Sequence, residues 1–314
     1  FTDITSQLLG GVDGESNDTV SADFNGDLIP DLLIAAGSSR SAPEFVNFDD
    51  NTARLLVLAN GRELGGSFST SGSVTFNIGN PSLSPSTIFI GSSGFQPDST
   101  AFTLSPDDPD VEGIFPHQPG TDRGIYIGYD RTLGEWTILF SAPFGSALFI
   151  ASNIESDEAI TNLKEIGFDS SNRTITPDRL YLNNGSMLID ASQASGLGDL
   201  DIHSNSTVVG DFDNDMDVDA YIVNTKSLVN LPNILLENQG DGTFIAVPGA
   251  GGALGSKFGL GDAVATADYD LDGFLDLFIT NGFTDKFPFS QDGPHQLYRN
   301  QGNSNNWLQI DLQG

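Results

Sequence analysis

Apolar positions in this chain come in short runs bounded by Gly, Asn, Asp and Ser. In "DLLIAAG" (31–37), "DAYIVNT" (219–225) and "DLFITNG" (276–282) the apolar side chains occupy successive positions. A strand of that kind is buried on both faces, whereas a sheet with one wet face alternates. Between 62 and 178, "SVTFNI", "STIFIG", "GIYIGY", "EWTILF" and "ALFIAS" read as at least five further strands, with alternation plainest in "EWTILF". One stretch predicts a helix instead. It is "SDEAITNLKEIG" (156–167), with Ser156 as cap and acidic residues in the first turn. The pattern as a whole predicts an all-β chain.

Each of the first three runs follows an acidic loop. The loops are "DFNGDLIPD" (23–31), "DFDNDMDVD" (211–219) and "DYDLDGFLD" (268–276), and together they hold 12 of the 34 aspartates. All read Asp-x-Asp/Asn-x-Asp-x-x-x-Asp. The flanks repeat as well: "FTDIT" (1–5), "LIDAS" (188–192) and "FIAVP" (244–248) begin 22, 23 and 24 residues before the first Asp of their loops. Before these come "RLYLNNG" (179–185) and "NILLENQGDG" (233–242), and "QLYRNQG" (296–302) opens one more unit; "RLLVLANG" (54–61) is a looser copy. The unit reads strand, Asn-Gly turn, strand, Gly-rich connection, acidic loop, strand, with 57 residues from Asp211 to Asp268. A period of this size signals a solenoid or a propeller.

These units resemble the FG-GAP/VCBS repeats of integrin α-subunit propellers and of many secreted bacterial proteins. "LYRNQGNSNNWLQIDLQG" (297–314) is similar to the lead-in to the ASPIC and UnbV domain that follows such repeats in proteins like cartilage acidic protein. The resemblance covers roughly 1–60 and 179–314 and implies a calcium-binding, β-propeller-like fold in an extracellular, secreted or cell-surface protein. The expected organisation is a first repeat over 1–61, an inserted β-sandwich-like domain over 62–178, repeats over 179–299, and the start of an ASPIC/UnbV-like segment over 300–314. Two degenerate blades are the alternative reading of 62–178. Residues 1–5 and 296–302 are complementary halves of one unit and are expected to pair, with "NWLQIDL" (306–312) as a rival for the same edge.

The loop chemistry suits calcium, which takes six to eight oxygen ligands at about 2.3–2.6 Å in irregular geometry. Side chains 1, 3, 5 and 9 and the main-chain carbonyl of position 7 would supply them. These are Asp23, Asn25, Asp27, Ile29 and Asp31 in the first loop. They are Asp211, Asp213, Asp215, Asp217 and Asp219 in the second, and Asp268, Asp270, Asp272, Phe274 and Asp276 in the third. About three structural calcium ions are expected. An EF-hand would need a bidentate Glu at position 12, where this chain has Ile34, Ile222 and Ile279. Magnesium demands octahedral geometry, and zinc wants His or Cys, whereas His117, His203 and His295 are scattered singly. Position 6 usually holds Gly to permit a positive φ. Here only Gly273 fits, so Leu28 and Met216 carry strain or take another turn.

Charge narrows the partners. With 43 acidic against 12 basic residues the net charge is −31, which repels nucleic acid and anionic membranes. No apolar run reaches the ~18 residues of a membrane span, and the absence of Cys excludes disulfides and thiol chemistry. The chain begins at Phe1 rather than Met, as if a leader or a longer N-terminus had been removed. No G-x-S-x-G, H-E-x-x-H, G-x-x-x-x-G-K or G-x-G-x-x-G is present. The leading expectation is a non-enzymatic, calcium-stabilised binding or adhesion module for a protein or glycan ligand. A self-assembling surface or filament protein and a carbohydrate-active enzyme are the alternatives.

Overall fold

The computed structural model describes residues 2, 16–36, 44–79, 84–168, 177–200, 202–226, 229–282 and 293–305. The chain folds into two compact units, one of residues 1–39, 175–284 and 291–314, the other of residues 40–174 and 285–290. In the first unit, β1 (Asp18–Val20) and β2 (Leu32–Ala35) form a hairpin around the first acidic loop. The second unit then contributes β3 (Glu44–Asp49), β4 (Thr52–Ala59), β5 (Arg62–Ser69), β6 (Val74–Gly79), β7 (Ile88–Ile90), β8 (Ala101–Leu104), β9 (Gly124–Asp130), β10 (Glu135–Ala142), β11 (Leu148–Ser156) and β12 (Thr161–Ile166). Back in the first unit come β13 (Arg179–Asn183), β14 (Leu188–Asp190), β15 (Ser204–Gly210), β16 (Asp219–Lys226) and β17 (Val229–Asn230). After them lie β18 (Ile234–Asn238), β19 (Phe244–Ala246), β20 (Leu260–Ala267), β21 (Asp276–Gly282) and β22 (Gln296–Tyr298).

Among the described residues the first unit holds three antiparallel, propeller-like blades: β1-β2-β13-β14, β15-β16-β18-β19 with β17 beside β16, and β20-β21-β22. β2 and β13 are far apart in sequence yet pair directly, Leu33 opposite Leu180, so the second unit is inserted within one blade. Every acidic loop joins the first strand of a blade to the second. Those first strands, β1, β15 and β20, occupy the stretch that the sequence pattern marks as a Gly-rich connection. Their small and polar side chains, as in "SNSTVVG" and "LGDAVATA", hide the strand from a hydrophobicity pattern.

Two-sided burial holds best for β16. Its Ala220 and Ile222 pack with Phe24, Leu33, Leu180, Leu236 and Phe244 in one core. Tyr221 and Val223 face the other way, against Phe212, Leu277 and Ile279. One strand therefore serves two cores, each large buried side chain worth about 1.5–3 kcal/mol. β21 departs from the expectation: Leu277 and Ile279 are buried, but Phe278 is 43% exposed. Among the described residues only one face of β21 has a neighbouring blade.

The second unit is a β-sandwich of two five-stranded sheets, β12-β5-β10-β9-β7 and β3-β4-β11-β6-β8. Both contribute to one core that includes Leu55, Phe68, Phe76, Trp136, Phe140 and Ile154. β3 and β4, read with the first repeat, belong to this sandwich, and "RLLVLANG" lies largely in β4, which pairs with β3 and β11. The helix expected over 156–167 is absent. Ser156 ends β11, and residues 161–166 form the edge strand β12 along β5. Its polar pattern is that of an edge strand facing water. Lys164 reaches Glu135 at 2.7 Å, and pairing with β5 overrides the local helical signals.

Asp178 joins two blades. It is completely buried and accepts from the Ala36 backbone N–H at 2.7 Å and from Ser204 Oγ at 2.6 Å. Burial pushes its carboxyl up to about 6 from an ordinary 3.8, against the pull of the two hydrogen bonds. A raised carboxyl pKa stabilises the fold fully below the unfolded value and loses that contribution as pH rises through the folded one, here up to ~3 kcal/mol. Asn at this position accepts from Ala36 and donates to Ser204 without titrating. Urea unfolding at pH 4.5 and 7.5 should therefore find Asp178→Asn more favourable, relative to the parent, at the higher pH. A difference independent of pH would contradict the assignment.

Candidate metal centres

The three loops share one wiring. At position 1, Asp23 accepts from the N–H groups of Asp27 and Leu28 at 3.1 and 2.7 Å. Asp211 accepts likewise from Asp215 and Met216, and Asp268 from Asp272 and Gly273. Position 3 (Asn25, Asp213, Asp270) accepts from the N–H of position 5. Position 5 in turn accepts from position 7, linking Asp27 to Ile29, Asp215 to Asp217 and Asp272 to Phe274. The spacing thus folds each loop through side-chain caps on its own backbone.

Position 9 does the most. Asp31, Asp219 and Asp276 are 1–2% exposed. Each accepts from the N–H of position 2 (Phe24, Phe212, Tyr269) and from the N–H of an Asn on the third strand or just beyond it: Asn183, Asn238 and Asn300. The same Asn donates its amide to the carbonyl of position 8, namely Pro30, Val218 and Leu275. Asn238 and Asn300 also reach the preceding blade, at Phe24 O and Phe212 O. Sequence reading missed these residues. The signal was the shared Asn of "LNNG", "ENQG" and "RNQG", taken only as a turn.

Positions 1, 3 and 9 converge. Asp211, Asp213 and Asp219 offer oxygens within 4.8 Å of one another, as do Asp268, Asp270 and Asp276. Two ligands of one ion at ~2.4 Å are at most ~4.8 Å apart, so both clusters fit a single calcium ion. Position 5 lies outside these clusters. In the first loop Asn25 stands between Asp23 and Asp31 in the chain, and its amide donates to Asp27 at 3.2 Å.

Electrostatics differ between loops. In the second, burial and then Asp215 and Asp211 push Asp213 up to about 6, and Asp217 is raised by burial and the same neighbours. Burial raises Asp219 to about 7 against hydrogen bonds from Asn238 and Phe212. The third loop is compensated. Arg299 lies 2.6 Å from Asp270 Oδ2 and 2.9 Å from Asp272 Oδ2, and Asp272 is lowered, first by the Phe274 N–H and then by Arg299.

All three loops keep a positive φ at position 6: Leu28 at 67°, Met216 at 82° and Gly273 at 92°. The turn is retained and the non-Gly residues bear its strain. Both are 91% exposed, so neither gains packing in return. A left-handed non-Gly residue costs of order 1–2 kcal/mol, offset in part by the entropy of Gly. Leu28→Gly and Met216→Gly should each raise stability by ~0.5–1 kcal/mol in urea unfolding; a loss would show that the side chains have contacts of their own.

Residues 211–279 match the family of FG-GAP-like repeats. The match runs from the second acidic loop into β21, so the sequence repeat is offset from the blade by one strand. No curated protein matches the chain.

Proposed function

We propose that this protein is a calcium-stabilised, non-enzymatic extracellular module that binds a protein or glycan at the cell surface. The observation carrying this reading is the wiring common to three loops around a buried position-9 carboxylate, together with the convergence of carboxylate oxygens from positions 1, 3 and 9 in the second and third. FG-GAP-like repeats often bind calcium and are typical of extracellular proteins, and the match at 211–279 supports both inferences. In the first loop Asn25 would serve as the position-3 ligand. A bound ion would neutralise carboxylates that otherwise repel, and would lock the turn between the first two strands of each blade. Its role is structural.

Non-enzymatic action rests on the lack of a catalytic motif, and self-association is the alternative to a foreign ligand. The charge of −31 speaks against nucleic acid. No helix among the described residues is long and apolar enough to cross a membrane. We read 300–314 as the start of an ASPIC/UnbV-like segment; residues 306–314 lie outside the described residues, as does the pairing expected of residues 1–5. Thermal melting in calcium, in magnesium and in chelator tests the proposal, which fails if the three curves coincide.

A further inference from the structure

We propose that Arg299 is a built-in competitor for the cation of the third loop, so that the repeats bind calcium with graded strength; this rests on the calcium reading above. The residue before each position-9-bound Asn differs in charge from blade to blade. It is Leu182 in the first blade, Glu237 in the second and Arg299 in the third.

The Arg299 guanidinium spans two ligand positions. Its Nε meets Asp270 Oδ2 at 2.6 Å and its Nη2 meets Asp272 Oδ2 at 2.9 Å. The other oxygen of each carboxylate already accepts a backbone N–H, from Asp272 and Phe274 respectively. Arg299 therefore holds the oxygens of positions 3 and 5 that the loop's own backbone leaves open. Calcium held by Asp268, Asp270 and Asp276 would compete with the guanidinium for the Asp270 carboxylate, which it must displace or share. In the second blade the corresponding residue is Glu237, which brings no cation to the loop. The second loop, with five aspartates, becomes the strongest site, and the third is weaker than its sequence suggests.

Arg299 is half exposed, so it can swing away at modest cost and the competition is graded rather than blocking. Exposed ion pairs are weak, and the expected effect is roughly a two- to fivefold tightening when the Arg299 charge is removed. Calorimetric titration of the full chain with calcium tests this. Arg299→Gln should tighten one site by that factor and leave the others unchanged. Arg299→Lys, which keeps the charge without the two-pronged grip, should fall between. Adding Asp268→Asn to Arg299→Gln should abolish the gain, which separates a local effect from added negative charge. A gain that survives Asp268→Asn, or an Arg299→Gln isotherm that overlays the parent's while calcium binds, would overturn the proposal and leave the calcium reading standing. No calcium binding by either protein would overturn both.

Discussion

Removing calcium should lower the melting temperature of the bladed unit by roughly 10 °C. With free ion tenfold above Kd each site contributes ~1.4 kcal/mol, so three contribute ~4. One kcal/mol moves the midpoint by about 2–4 °C in a unit of ~150–250 residues. The physical cause is local. Chelation leaves five aspartates within nine residues in the second loop, at the turn that aligns β15 with β16. The sandwich holds none of the three loops, so a separate transition from it should not respond. Magnesium should restore little, because it resists giving up its waters for an irregular oxygen cage. An unchanged bladed transition would remove the structural role of the metal.

The largest single-residue effect should come from Asp219→Ala. Asp219 is 2% exposed and bonds the N–H groups of Phe212 and Asn238 at 2.9 Å, tying the acidic loop to β18. Each buried N–H left without a partner costs about 1–3 kcal/mol. Urea unfolding in chelator should show a loss of ~3–5 kcal/mol, and in calcium a further ~1.4 as a ligand disappears. The two buffers separate scaffold from metal. A loss below ~1 kcal/mol in chelator would mean that the position-9 carboxylate is not part of the fold.

Much of this was legible because charge and strand period leave strong marks. The acidic loops, the strands after them and the β-rich middle all depend on side chains whose burial or charge is extreme, as in "DAYIVNT". What stayed hidden depended on partners far along the chain. β1, β15 and β20 are made of small, half-exposed residues whose strand character comes from pairing with β2, β16 and β21. Residues 156–167 carry every local mark of a helix, yet most of them lie in β11 and β12, whose hydrogen bonds go to sheet neighbours far along the chain. Arg299 lies in "QLYRNQG", which gives no hint of its contact with Asp270 and Asp272. The position-6 side chains left two readings open, strain or another turn. The backbone keeps the left-handed turn and Leu28 and Met216 bear the strain, because the caps at positions 1 and 5 fix the loop regardless of residue 6.

Counting bound ions tests the central claim most directly. Native mass spectrometry of the chain equilibrated in millimolar calcium should show three bound ions, and the count should fall by one for Asp211→Asn combined with Asp213→Asn. A chain that carries no calcium under those conditions would contradict the account.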